Sequence, residues 1–172
     1  MSFKKEIDFL NKKNTMELKG SIGALMDEYR KALDELILVI KPLNEIQISQ
    51  IVDVETKDPD CTSIQNILTH VIYAGYRYTY FMEKHIGLET NPPKRNVLQT
   101  SEQFIEGLNV MLNYCINFFV QNPNLKLVEQ IKKKKIKVSW GQIYDIDQLM
   151  EHAVMHILRH RRQIEGFLEK RK

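Results

Sequence analysis

Cysteine is scarce: Cys61 and Cys115 are the only two in 172 residues, and they lie far apart. That excludes a disulfide scaffold and a thiolate zinc finger, and two free thiols fit a reducing, cytoplasmic setting. Long apolar runs are missing. The longest is Leu36 to Ile40, far short of the ~20 residues a membrane span needs. The first residues, MSFKKEIDFLNKKN, carry charges but no apolar stretch or small-residue cleavage site, so no secretory signal is expected. One-sided charge is absent too. Lys and Arg total 25 against 22 Asp and Glu, a net +3 that does not by itself imply nucleic acid. No GxGxxG, P-loop or GxSxG occurs, which leaves dinucleotide, nucleoside-triphosphate and serine-hydrolase chemistry without support.

What is present reads as one folded helical domain. Hydrophobic residues make up 43% and charged residues 27%, a globular balance. A length of 172 residues predicts a single domain over 1–172, with a core at about 15–170 and a short N-terminal extension. The five prolines, Pro42, Pro59, Pro92, Pro93 and Pro123, fall between periodic segments and mark breaks. Four segments repeat apolar residues at steps of three and four, the helical period. The first spans about Thr15 to Ile40, with Leu18, Ile22, Leu25, Tyr29, Ala32, Leu33, Leu36 and Ile40 on one stripe. The second spans about Thr62 to His85, with Ile67, Val71, Ala74, Tyr78 and Phe81 inward. Thr62-Ser-Ile-Gln65 predicts a capping box at its start, and Gly87 a stop after its end. The third spans about Ser101 to Gln121, capped by Thr100 or Ser101. The fourth spans about Asp147 to Glu169, with Asp147 as candidate N-cap. Four such segments predict an all-α four-helix bundle. The connections, about 20, 15 and 25 residues long, need not join antiparallel neighbours. The last contains Ile136-Lys-Val-Ser-Trp140, an alternating stretch that predicts a short strand.

The histidines carry the chemical signal. There are five: His70, His85, His152, His156 and His160. A lone histidine on an apolar face is ordinarily a hydrogen-bonded core residue, but His156 and His160 sit four apart near the centre of the fourth stripe, which Leu149, Ala153, Ile164 and Phe167 define. Imidazoles at that spacing converge and can share a metal. Two neutral imidazoles in a core must also find partners for four ring nitrogens, and a shared metal resolves two of them. His70 lies within the inner stripe of the second segment, beside Ile67, Val71 and Ala74. Three imidazoles from two helices leave metal positions open, as a catalytic site requires. His152 projects further from the stripe centre and reads as a partly exposed neighbour or an extra ligand. His85 sits at a helix C-terminus, where it suits the dipole. Neither His-Glu-x-x-His nor Glu-x-x-His occurs, so there is no built-in glutamate base and no di-iron carboxylate pattern.

Three stretches carry a resemblance: His156-Ile-Leu-Arg-His160-Arg-Arg-Gln163-Ile164-Glu165, Ile67-Leu-Thr-His70-Val, and Ile22-Gly-Ala-Leu-Met-Asp-Glu-Tyr29. Together they resemble the DinB/YfiT-like family of metal-dependent enzymes, over about residues 15–170. The resemblance implies an up-down-down-up bundle. It also implies one divalent metal ion, nickel or zinc, on His70, His156 and His160. Many relatives carry a second histidine just before the last ligand, and Arg159 occupies that place here.

Relatives include thiol S-transferases that use low-molecular-weight thiols, and proteins described as metal-dependent hydrolases. The resemblance therefore implies a thiol S-transferase-like enzyme activating a thiol or water nucleophile on a small-molecule substrate. The alternatives are a metal-dependent hydrolase and a non-enzymatic metal or small-molecule carrier. Gln163, on the same helix face as the ligands, suits the orienting of a ligand. Tyr29 and Tyr78 face inward, where core packing is their ordinary role. Lys132 to Lys135 read as a solvated loop, since no aromatic residues interleave them for base stacking. Nucleic acid and membrane are therefore not expected partners, while a homodimer stays open.

Overall fold

A computed structural model describes residues 18–170. It is mostly helical, with four long helices, one short helix and a two-stranded hairpin among the described residues. Helix α1 spans Gly20–Ile40. At the start of the predicted segment, Thr15 to Glu17 lie outside the described residues, and Leu18 and Lys19 are not helical. Gly20 has φ +67°, a left-handed conformation that glycine adopts without penalty and that breaks the helix on its N-terminal side. Pro42 follows the other end.

The first connection holds a helix the periodicity does not announce: α2, Glu45–Ser49. Its warrant is local, since Asn44 and Gln47 exchange side-chain and backbone hydrogen bonds in a capping box. Helix α3 spans Ile64–His85. Its cap is Ser63, not Thr62: the Ser63 hydroxyl accepts from the Asn66 amide at 3.1 Å. The Thr62 hydroxyl is used by the Asn66 side chain at 2.7 Å, and the Gln65 amide turns away to the Leu98 carbonyl. Gly87, φ +83°, ends the helix as expected, with its N–H on the Lys84 carbonyl. Helix α4 spans Ser101–Gln121 behind a Thr100/Gln103 capping box.

Helix α5 spans Ile146–Glu169. Its N-cap is Asp145 rather than Asp147, in a capping box with Gln148. Asp145 is the better anchor because it is buried and also holds Lys135 at 2.6 Å and the Glu129 amide. The expected strand is shorter than its alternating stretch. It forms β1, Ile136–Lys137, paired antiparallel with β2, Ile143–Tyr144. Between them the chain turns at Gly141, φ +89°.

The long helices meet in a ring: α1 packs on α5, α5 on α3, α3 on α4, and α4 on α1. Their apolar stripes form one core. Leu33, Leu36, Ile67, Phe104, Leu108 and Ile164 are fully buried. Gly75 permits a close approach of α3 to α4, because a Cβ there would lie 2.3 Å from the Met111 sulfur. That sulfur accepts the Tyr29 hydroxyl at 3.4 Å, so Tyr29 is a core residue. Among the described residues no helix is long and apolar enough to cross a membrane.

Candidate metal centre

Three residues from α3 and α5 supply the site. The cap at Ser63 starts α3 so that Ile67, Leu68 and Val71 are buried, which sets His70 at the edge of that stripe, half-buried. On α5, Ala153, Ile157 and Ile164 face the core. His160 stands among them, 3% exposed, and His156 lies one turn earlier, half-buried. The packing of α3 on α5 brings the three rings together.

Their Nε2 atoms converge. His156 Nε2 lies 2.9 Å from His70 Nε2 and 3.2 Å from His160 Nε2. One coordinating atom from each of the three lies within 4.8 Å of the others. His70 Nδ1 stands 3.0 Å from Asp60 Oδ2, and His160 Nδ1 stands 3.0 Å from Gln163 Oε1. A carboxylate and an amide oxygen only accept, so both Nδ1 atoms carry their proton. A neutral imidazole has one N–H, which leaves both Nε2 atoms as bare lone pairs. His156 Nε2 can offer one proton at most. At least one of the two short contacts therefore opposes lone pair to lone pair.

Protonating His156 or His160 does not relieve this. Burial, reinforced by His160 and His70, pushes His156 down to about 2. Burial also pushes His160 down to about 4, with the Gln163 hydrogen bond opposing it. A cation at the focus removes the conflict, since each lone pair then has a partner. Three neutral imidazoles suit nickel or zinc, with positions left over. The residues present fit one divalent ion.

The outer supports are arranged as metal-binding histidines require. Arg95 donates to both oxygens of Asp60. Partial burial raises the Asp60 carboxyl, but Arg95 and His70 outweigh that and keep it below its usual value. Gln163 also accepts from the Cys61 thiol at 3.7 Å. Burial pushes that thiol upward, so it is a protonated donor at neutral pH.

The structure brings His70, His156, His160 and Gln163 together, and it leaves the other candidates outside. His152 is not in the cluster; its Nδ1 lies 3.2 Å from the Tyr144 hydroxyl. His85 ends α3. Tyr78 sets its ring edge-on to His156, with centroids 5.8 Å apart. Lys132–Lys134 form an exposed turn.

Three residues escaped the sequence reading: Asp60, Arg95 and Cys61. Asp60 and Cys61 sit in a short 3-10 turn, Pro59–Cys61, just ahead of α3. Asp60 lies ten residues before His70, a spacing with no helical or strand meaning. Arg95 comes from the loop after Pro93, and no periodicity points it at Asp60. Compared with known proteins, the chain matches no family model and no curated protein.

Proposed function

We propose that this chain is a divalent-metal-binding enzyme of the DinB/YfiT-like kind, a four-helix bundle in up-down-down-up order. Its open three-histidine site would activate a thiol nucleophile for transfer to a small electrophile. The observation that carries the reading is the pair of short Nε2 contacts, His156 to His70 and His156 to His160, at least one of which sets lone pair against lone pair when the rings are neutral. The ring of helix contacts, α1–α5–α3–α4, supports the bundle.

His70, His156 and His160 would hold a divalent ion, which would supply the Lewis acidity that lets a coordinated thiol or water ionise near neutral pH. The chain's own residues do the rest. Asp60 and Gln163 fix the tautomers of His70 and His160 and hold their rings in aim. His70 and His156 are half-buried, so a ligand would approach them from the side away from the core.

One feature favours thiol over amide chemistry. Amide hydrolysis needs a base to deprotonate the attacking water and an acid for the leaving amine. Among the described residues, Asp60 is the carboxylate hydrogen-bonded to the cluster, and both its oxygens are committed to His70 and Arg95. A thiol ionised by coordination needs no such base.

Cobalt-substituted protein tests this. Saturating 2-mercaptoethanol should bring an intense sulfur-to-cobalt charge-transfer band in the near ultraviolet, and His156→Ala should abolish it. An unchanged spectrum, together with metal-dependent cleavage of a generic ester, would replace the transferase reading with the hydrolase one. A protein that binds cobalt but does neither is a carrier.

A further inference from the structure

Several cations near the cluster have partners. Arg95 is paired with Asp60, Arg161 with Glu35 and Glu165, and Arg77 donates to the Ser139 hydroxyl at 2.9 Å. Arg159 is exposed and has no hydrogen bond or ion pair with any described residue. Its place on α5 is informative. At about 100° per residue it projects within roughly 20° of His152 and 60° of His156. It thus lies on the flank of α5 that His152 shares, one turn past His156 and away from the core side.

The opposite approach is filled. Trp140, carried by the β1–β2 hairpin, stacks on His152 with centroids 5.8 Å apart, and His152 stacks in turn on His156 at 6.3 Å. Tyr144 holds His152 from the side. The flank beside His156 therefore carries rings toward the N-terminal end of α5 and Arg159 one turn toward the C-terminal end.

We propose that Arg159 is a positioning residue that binds a carboxylate on the ligand entering the three-histidine site, so that the site prefers carboxylate-bearing ligands to neutral ones. The inference rests on the metal-site reading above and adds the substrate class. A planar guanidinium matches a carboxylate in two parallel hydrogen bonds. A phosphate is the poorer fit, because phosphate sites gather several donors and Arg159 offers a single guanidinium. Net charge points the same way. The acidic residues at the cluster, Asp58 and Asp60, already accept from Cys61, His70 and Arg95. A bound divalent ion then leaves the mouth positive, which attracts anions.

A matched pair of metal-seeking probes tests the proposal without relying on turnover or on thiols. Succinic monohydroxamate and its primary-amide analogue differ only in carboxylate against carboxamide. Each is titrated into cobalt-loaded protein and followed by the visible cobalt spectrum. The acid should bind about tenfold more tightly at low salt. Arg159→Gln should reduce the preference to within about twofold, and Arg159→Lys should keep part of it, with cobalt affinity unchanged in both. Equal binding of the two probes to the unaltered protein overturns the carboxylate role and leaves the metal site standing. A preference that survives Arg159→Gln assigns it elsewhere and also overturns the proposal. Failure of cobalt to bind, or of either hydroxamate to perturb its spectrum, overturns the open-site reading and this inference with it.

Discussion

Asp60 Oδ2 lies 3.0 Å from Nδ1 of His70, and the geometry makes Asp60 the group that decides which nitrogen of His70 is bare. Arg95 keeps that carboxylate ionised and in place. Asp60→Ala should free His70 to rotate and to change tautomer. Loss of such a support costs about 10–100-fold in metal affinity. Competition with a chromogenic chelator measures it, and an unchanged zinc affinity would deny Asp60 this role. Arg95→Gln should have a smaller effect in the same direction.

The convergent set predicts a hierarchy among the histidines. His70→Ala, His156→Ala and His160→Ala should each cut the metal content sharply from about one ion per chain. His152→Ala should leave most of it, since that ring is bonded to Tyr144 instead of pointing into the cluster. Elemental analysis decides, and equal losses for His152 and His160 would mean the ligand set is misidentified. The continuous apolar core should keep the metal-free chain folded at 25 °C. Chelation should therefore lower Tm by several degrees without removing the helical signal.

Much of this was legible in the sequence, and the rest was hidden for identifiable reasons. Phe104, Leu108, Met111 and Cys115 recur at helical spacing, and all are buried, because one period governs a whole amphipathic helix. His156 and His160 were readable as a pair because the same period that buries Ile157 and Ile164 carries them inward. Caps were harder. Thr62 and Ser63 are both good cap residues, and the choice depends on where the loop arrives: Val52 and Asp53 donate to the Thr62 carbonyl, which brings Ser63 into the cap position. Asp145 won over Asp147 through Lys135 and Glu129, partners that lie before the hairpin. Asp60, Arg95 and Cys61 join the site through tertiary folding alone, which leaves no periodic trace.

The contact between α3 and α4 is sensitive at one atom. Gly75→Ala would set a methyl group 2.3 Å from the Met111 sulfur. Met111 can move, but in doing so it gives up the Tyr29 hydroxyl, which is fully buried. Overpacking of this kind costs about 1–3 kcal/mol. Urea unfolding should show that loss with the slope unchanged. A second change, Met111→Ala, should recover part of it in the Gly75→Ala background by making room. Additive losses would mean the two residues do not compete for the same space.

Acid should weaken the metal-free protein in a window set by the histidines. An unfolded histidine titrates near 6.5. In the fold, burial pushes His160 down to about 4 and His156 down to about 2. Above pH 6.5 both rings are neutral in both states, and the shift contributes nothing to the slope. Below it the unfolded chain takes up protons that the folded chain refuses, so stability falls as pH falls. The His160 share is fully lost once pH passes its folded value, on the order of 3 kcal/mol. Exposed carboxylates titrate lower, so the interval from about 6.5 to 5 isolates the imidazoles. Urea midpoints measured with chelator present should decline across that interval, and His160→Leu should flatten the decline. Zinc-saturated protein should hold its midpoint further down, because protons must then displace the ion before they reach the rings. A midpoint that stays level from pH 7 to 5 in the chelated protein would show that these imidazoles are not held neutral by the fold.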